Sequence, residues 1–157
     1  MKRTVILLIV LIITLVSCGT GGKTIESEAQ YSCTFSVNCT ELLGSDKLAK
    51  EKRALVPEDG IIIAPISVSF TKGESLFEVT KRVLKEKKIH LEFAEVTALG
   101  TAYIEGINNI YEFDAGELSG WVFTVNGEEV NVGSSSVKLN DGDTVVWSYT
   151  TEGRKAS

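Results

Sequence analysis

The sequence predicts an α+β domain in which one helix packs across a mixed sheet of short strands. Three observations predict this class. One stretch has both a helix cap and an apolar stripe, its neighbours alternate between apolar and polar residues as strands do, and Asn-Gly and Asp-Gly turns join several of them. The elements follow the order strand, strand, helix and then only strands. Among common small folds, the β-grasp (ubiquitin-like) arrangement fits this order best.

Two strands are predicted before the helix, over residues 31–37 and 61–70. Pro65 interrupts the second. Because proline has no N–H to donate to a neighbouring strand, this strand lies at an edge of the sheet or breaks there. The charged segment between the two strands, residues 39–60, has room for a short helix around residues 46–54.

The helix is predicted over residues 76–88. Ser75 and Glu78 match a capping box, in which the serine hydroxyl accepts a hydrogen bond from the Glu78 amide and the glutamate reaches back. An apolar stripe then runs along one side, and the lysines on the other side form a solvated face. The residues of the stripe are Leu76, Val79, Val83 and Leu84.

Only strands are predicted after the helix. Asn126-Gly127 is the strongest hairpin signal in the chain, because both residues of such a turn tolerate a positive φ angle. A second turn is predicted at residues 140–143. The predicted strands cover residues 91–96, 102–113 with a break at Gly106, 120–125, 129–131, 136–139 and 144–150.

The N-terminus resembles the export signal of a bacterial lipoprotein. Lys2 and Arg3 precede an apolar run that ends at residues 15–18 and is too short for a comfortable membrane span, which takes ~20 apolar residues. Leu15 lies three positions before Cys18, as in a lipobox, which implies cleavage before Cys18 and transfer of a lipid to its thiol. The alternative is an ordinary signal peptide that ends near a cysteine.

The predicted organisation is a signal peptide over residues 1–17, a flexible tether over residues 18–30, a folded domain over residues 31–151 and a tail over residues 152–157. We therefore expect the protein at the extracytoplasmic face of the bacterial cell membrane, held there by its lipid anchor. The net charge of −5 and the absence of a basic stripe argue against nucleic acid as a partner.

No catalytic or metal-binding residues are predicted. His90 is the single histidine of the chain, it follows the helix, and no nucleophile is placed beside it. One histidine without paired cysteine spacing leaves zinc without ligands. Cys33 and Cys39 are six residues apart in a stretch that looks extended, which separates them by roughly 20 Å. A disulfide needs Cα atoms within about 7 Å, so we expect no bridge between them.

From about residue 32 to residue 150, the chain is similar to a family of bacterial surface domains of unknown function, which itself resembles the C-terminal domain of transcobalamin and intrinsic factor. Gly120-Trp121, Val125-Asn126-Gly127 and the stretch 139–149 carry the resemblance most specifically. It implies a β-grasp-like fold. In the vitamin carriers this domain covers one face of cobalamin, while a separate helical domain supplies the rest of the pocket.

The chain differs from these relatives at several cysteine positions. The relatives commonly have cysteines where this sequence has Ala115, Ser134 and Thr151. The resemblance therefore implies that Cys33 and Cys39 remain from a lost disulfide set, and that packing alone holds the domain together.

Aromatic residues suggest where a ligand site would lie. Trp147 alternates within the last strand and is more typical of core. Trp121 begins its strand directly after a loop, where rings are often half exposed. If a site exists, we expect a shallow apolar ledge at this loop, with acidic groups on its rim. The predicted ligand-binding residues are Trp121, Tyr111, Tyr103, Phe113, Glu112 and Asp114.

Two functions remain open at this point. The first is a lipid-anchored, non-catalytic binding module for a small ligand, cobalamin-like by resemblance, without a cofactor of its own. The second is an interaction or structural module that contacts a surface protein or a polysaccharide and binds no small ligand.

Overall fold

The computed structural model describes residues 30–96 and 101–153. Within these residues the chain forms eight strands, two α-helices and two short 3-10 helices. The strands are β1 (Gln30–Asn38), β2 (Ile61–Thr71), β3 (Leu91–Val96), β4 (Thr101–Ile107), β5 (Ile110–Tyr111), β6 (Gly120–Val125), β7 (Glu128–Glu129) and β8 (Thr144–Thr150). The helices are α1 (Lys50–Arg53) and α2 (Leu76–Glu86), and the 3-10 helices are Thr40–Leu42 and Ser134–Ser136.

Five of the strands form a mixed sheet in the order β2-β1-β8-β6-β7. Strands β1 and β8 run parallel, from the pair Thr34–Thr144 to the pair Asn38–Ser148, and the other neighbours are antiparallel. One main helix accompanies this sheet, which confirms the α+β class. The β-grasp arrangement in particular stays a prediction. A separate sheet in the order β3-β4-β5 was not predicted.

The predicted helix and its cap are confirmed. The Ser75 hydroxyl accepts a hydrogen bond from the Glu78 amide at 3.2 Å, and Glu78 Oε2 accepts one from the Ser75 amide at 2.7 Å. The helix ends at Glu86, two residues before the predicted end. Lys88 follows with a φ angle of 58°, a backbone conformation that cannot continue a helix.

The core lies between α2 and the five-stranded sheet. The indole N–H of Trp147 donates to the Thr80 hydroxyl at 3.0 Å, and that hydroxyl donates to the Leu76 carbonyl at 2.7 Å. Phe123 packs beside Trp147, with 4.9 Å between the ring centroids. Trp147 is therefore a core residue, as its alternation predicted, and Pro65 lies in an edge strand, as expected.

Two predicted elements were wrong in detail. The helix expected around residues 46–54 is one turn, α1. The strand expected over residues 136–139 is absent: Ser134–Ser136 forms a 3-10 helix, and Lys138 makes a single bridge to Ser75 at the start of α2. These residues pair with the helix cap and not with a strand, which local alternation could not show.

The break expected at Gly106 lies two residues later. Asn108 and Asn109 have φ angles of 54° and 60° and form the turn between β4 and β5. Gly106 stays inside β4, where the Tyr111 ring covers it: a Cβ at Gly106 would lie 2.8 Å from Tyr111 Cδ1. The glycine thus marks a close approach of a ring to the backbone, and not an end of the strand.

Cys33 and Cys39 are both buried and both unpaired. This agrees with the prediction that they form no disulfide with each other. Burial raises the pKa of both thiols, and it raises that of Cys39 to about 11. A thiol with so high a pKa stays protonated and unreactive at neutral pH.

The predicted signal peptide, the predicted lipidation site Cys18 and the last four residues lie outside the described residues. In the ranges 30–96 and 101–153, no helix has the length and apolar character needed to cross a membrane.

Candidate functional site

Three large apolar side chains stand exposed around one open groove. Tyr103 is 42% exposed, Phe113 is 61% exposed and Leu118 is 69% exposed. The groove has a volume of about 320 Å³, and Trp121 contributes to its wall. We call these four residues the ledge. Exposed apolar groups that cluster in this way are typical of a contact surface.

The loop that presents Phe113 and Leu118 is closed on itself by hydrogen bonds. The Phe113 amide donates to the Ser119 carbonyl at 3.0 Å. The Ser119 hydroxyl accepts from the Ala115 amide at 3.1 Å and donates to the Gly116 carbonyl at 2.8 Å. Ala115 and Ser119 are buried inside the loop. The apolar side chains of Phe113 and Leu118 are therefore left facing solvent.

Residues of the five-stranded sheet hold both ends of this loop. The Tyr149 hydroxyl donates to the Tyr111 carbonyl at 2.8 Å, and it lies 2.9 Å from the hydroxyl of Ser119 at the other end. The indole N–H of Trp121 donates to the Ile110 carbonyl at 2.8 Å. Burial raises the pKa of Tyr149, so its hydroxyl keeps its proton at neutral pH. The loop is thus anchored by a buried, uncharged network.

Trp121 is more deeply buried than predicted. It is 5% exposed, and its ring packs edge-on against Tyr149 with 5.3 Å between the centroids. The expectation of a half-exposed ring was wrong because β6 is paired with β8 from its first residue, Gly120 with Thr150. Trp121 therefore already faces the core, and only its edge reaches the groove.

The predicted acidic rim divides into two parts. Glu112 accepts a short hydrogen bond from the Tyr103 hydroxyl. Asp114 instead accepts from Lys52 Nζ at 2.5 Å and from the Tyr111 amide at 2.7 Å. The Lys52 ammonium also lies 5.0 Å from the centre of the Tyr111 ring. Asp114 and Tyr111 therefore support the loop from below and do not line the groove.

Of the predicted site residues, the structure thus brings Tyr103, Phe113 and Trp121 together around one groove, with Glu112 at the hydroxyl of Tyr103. Their role in ligand binding stays a prediction. Leu118 and Glu117 also line the groove and were missed. The sequence could have indicated Leu118, because an apolar side chain between the two glycines of a short polar loop suggests a contact surface.

Among the described residues, no group of three or more His, Cys, Asp or Glu residues is placed to hold a metal ion. His90 Nε2 lies 3.5 Å from Glu92 Oε2, and the His90 side chain is partly exposed.

A match to a family model identifies the family of the chain. Residues 73–151 match the model described as a domain of unknown function, DUF4430. The chain belongs to the DUF4430 family. Every ledge residue lies within the matched part. No curated protein matches the chain.

The solved structures that resemble this DUF4430 protein include haptocorrin and a protein from Ruminococcus gnavus. Haptocorrin in complex with Cbi is similar with a TM-score of 0.59 and 15% identity, over 87% of this chain and 29% of the haptocorrin chain. The protein from Ruminococcus gnavus, described as a putative metal binding protein, has a TM-score of 0.45 and 19% identity, over 79% of this chain and 99% of its own. The likeness to haptocorrin is one of fold, and the chain spans less than a third of haptocorrin's length.

Proposed function

We propose that this DUF4430 protein is a non-catalytic binding module, anchored outside the bacterial cell by a lipid on Cys18, whose ledge covers one face of a cobalamin-like ligand. The proposal has two separable parts, the location and the ligand. Each part rests on its own observations and has its own test.

The ledge is the observation that carries the ligand part. Phe113 and Leu118 stand in solvent on a loop whose backbone is fixed by buried hydrogen bonds, and Tyr103 stands exposed beside them on β4. A fixed loop loses little conformational entropy when a ligand binds, so its apolar surface is available for affinity. An apolar surface fixed in this way suits the flat face of a rigid ring system.

The shape of the groove limits how much of a ligand it can cover. Small-molecule pockets commonly enclose most of their ligand in ~300–1,000 Å³. The groove of about 320 Å³ is at the low end of that range and is open on one side. The ledge can therefore cover one face of a corrinoid-sized ligand and leaves the other face for a second component.

Two comparisons support this choice of ligand. The haptocorrin structure that resembles this chain contains Cbi, and the chain corresponds to 29% of that protein. The family resemblance seen in the sequence implies a domain that covers one face of cobalamin. A module that supplies one wall of a shared pocket fits both the partial length and the open groove.

The ligand test is a titration of the purified protein with cyanocobalamin, followed by tryptophan fluorescence corrected for the inner-filter effect. Trp121 lies at the ledge, so we expect saturable quenching. Leu118→Ser removes ledge surface and should weaken binding. Leu43→Ser is the matched control, because Leu43 is also an exposed leucine but does not line the groove. Equal effects of the two changes would contradict the ligand proposal.

The location test concerns Cys18. When cells are grown with a radiolabelled fatty acid, the protein should carry the label and sediment with membranes. Cys18→Ser should abolish both. An unlabelled protein in the soluble fraction would contradict the anchor and would leave the ligand part unaffected.

The second candidate function is an interaction module for a surface protein or polysaccharide. The open side of the groove favours it, because a flat partner can reach Phe113 and Leu118 without entering a pocket. A flat cyanocobalamin titration, combined with capture of a surface component that Leu118→Ser weakens, would support this candidate over the first.

A further inference from the structure

A second, smaller cavity lies directly behind the ledge. Its volume is about 30 Å³, and Tyr103 and Trp121 line both this cavity and the ledge groove. Phe123 and Trp147 close it on the side of the five-stranded sheet, and Ser134 contributes to its wall. A group that reaches past Tyr103 from the ledge would therefore enter a space bounded mainly by aromatic rings.

The Ser134 hydroxyl is the unsatisfied polar group of this cavity. Ser134 is 2% exposed, and its Oγ has no hydrogen-bond partner within residues 30–96 and 101–153. The two indole N–H groups in the wall are already used: that of Trp121 binds the Ile110 carbonyl, and that of Trp147 binds the Thr80 hydroxyl. A buried hydroxyl without a partner is unfavourable, so the position calls for a hydrogen-bonding occupant.

Ser134 is held in place by a close approach of two segments. A Cβ at Gly133 would lie 2.6 Å from Thr101 Cβ, so only glycine lets the chain come this near to β4. On the other side, the Ser135 hydroxyl accepts a hydrogen bond from the Ala102 amide at 2.9 Å. Both neighbours of Ser134 are thus fixed against β4, and the hydroxyl has a defined position.

We propose that this cavity receives a neutral hydrogen-bonding end group of the ligand on the ledge, a hydroxyl or a primary amide, and that the Ser134 hydroxyl binds it. The inference rests on the proposed function of the ledge. A volume of about 30 Å³ is about that of one water molecule, so only the terminal O–H or N–H₂ of such a group enters the cavity and the rest of the group stays at its mouth.

The chemistry of the wall selects a neutral polar group. The lining residues carry no charged side chain, so a carboxylate or an ammonium group would lose its hydration without gaining a counter-charge. An apolar group would leave the Ser134 hydroxyl unpartnered. A hydroxyl or an amide can donate to Oγ or accept from it, and therefore satisfies it.

The first measurement uses formamide and formate, which are nearly equal in size and differ in charge. The indole N–H signals of Trp121 and Trp147 are followed by ¹H–¹⁵N correlation spectra of the purified protein at constant ionic strength. Formamide should shift both signals saturably, and formate should not. Ser134→Ala should abolish the shift. Ser136→Ala is the control, because Ser136 is exposed and lies two residues away.

The second measurement is the affinity for cyanocobalamin. Loss of one neutral hydrogen bond should weaken binding about 2- to 10-fold in Ser134→Ala and leave it unchanged in Ser136→Ala. A formamide response without cyanocobalamin binding would overturn the proposed ligand. The inference that the cavity selects a neutral polar group would still hold. Cyanocobalamin binding that Ser134→Ala does not weaken, or equal shifts with formate, would overturn the inference and keep the proposed function.

Discussion

Replacing Tyr149 by phenylalanine tests whether the five-stranded sheet holds the loop of the ledge. The Tyr149 hydroxyl joins the carbonyl of Tyr111 at one end of this loop to Ser119 at the other end. Tyr149→Phe removes that oxygen and keeps the ring that packs on Trp121. The change therefore isolates the hydrogen bonds from the packing.

The expected loss of stability is about 1–2 kcal/mol. A buried group that loses its hydrogen-bond partner costs about 1–3 kcal/mol. Here neither partner is left without a bond: the Tyr111 carbonyl still accepts a longer hydrogen bond from the Asp114 amide at 3.3 Å, and the Ser119 hydroxyl keeps its bonds within the loop. The loss should therefore lie in the lower part of the range.

Urea unfolding at neutral pH measures this loss. With a slope of about 2 kcal/mol per molar urea, the midpoint should fall by about 0.5–1 M. Amide hydrogen exchange should become faster at Phe113, whose N–H closes the loop. The control is Tyr31→Phe, because Tyr31 is a less buried tyrosine that also packs against a ring, at 5.8 Å from Phe70.

The control also defines the contradicting result. Tyr31→Phe should change the free energy of unfolding by no more than about 0.5 kcal/mol. If Tyr149→Phe costs no more than this and exchange at Phe113 stays the same, the loop is not held by the sheet. The ledge would then not be pre-formed by these hydrogen bonds.

Three further predictions concern the support of the loop, the helix cap and the buried thiols. Asp114→Asn, which removes the charge partner of Lys52, should cost about 1 kcal/mol in urea unfolding at low salt and less at high salt. Ser75→Ala should cost about 0.5–2 kcal/mol at neutral pH. Hydrogen bonds from Ser75 lower the pKa of Glu78. The Glu78 carboxylate therefore adds to the stability of the fold above the usual glutamate pKa. Urea midpoints should fall as the pH falls through the lowered pKa of Glu78. Burial raises the pKa of Cys39 from 9.0 to about 11. The free energy of unfolding should therefore be unaffected by the ionisation of this thiol below pH 9.0 and should fall between pH 9.0 and about 11. Cys39→Ala should make that fall in the urea midpoint smaller.

Elements with strong local signals could be predicted from the sequence. The capping box at Ser75 fixes where α2 begins, and the Asn126-Gly127 pair fixes the hairpin after β6, because Asn126 takes a φ angle of 55° and Gly127 one of 84°. Both signals act within a few residues. Tertiary contacts did not overrule either one.

Elements that depend on distant partners could not be predicted. The parallel pairing of β1 with β8 joins residues about 110 positions apart, and no local pattern encodes it. The same holds for the site. Leu118 is exposed because Tyr149, more than thirty residues later, fixes the loop, and Ser134 is buried where Gly133 lets its segment approach β4 closely. The position of the site was predictable from its aromatic residues, whereas the depth of Trp121 was not.

The most direct test of the account maps where cyanocobalamin touches the protein. Chemical shifts of the purified protein are recorded during a titration up to about 1 mM, which detects binding of about −4 kcal/mol. We expect saturable shifts centred on Tyr103, Phe113 and Leu118, with the far edge strand β2 unaffected. Shifts that are absent over this range, or that centre on another face of the domain, would contradict it.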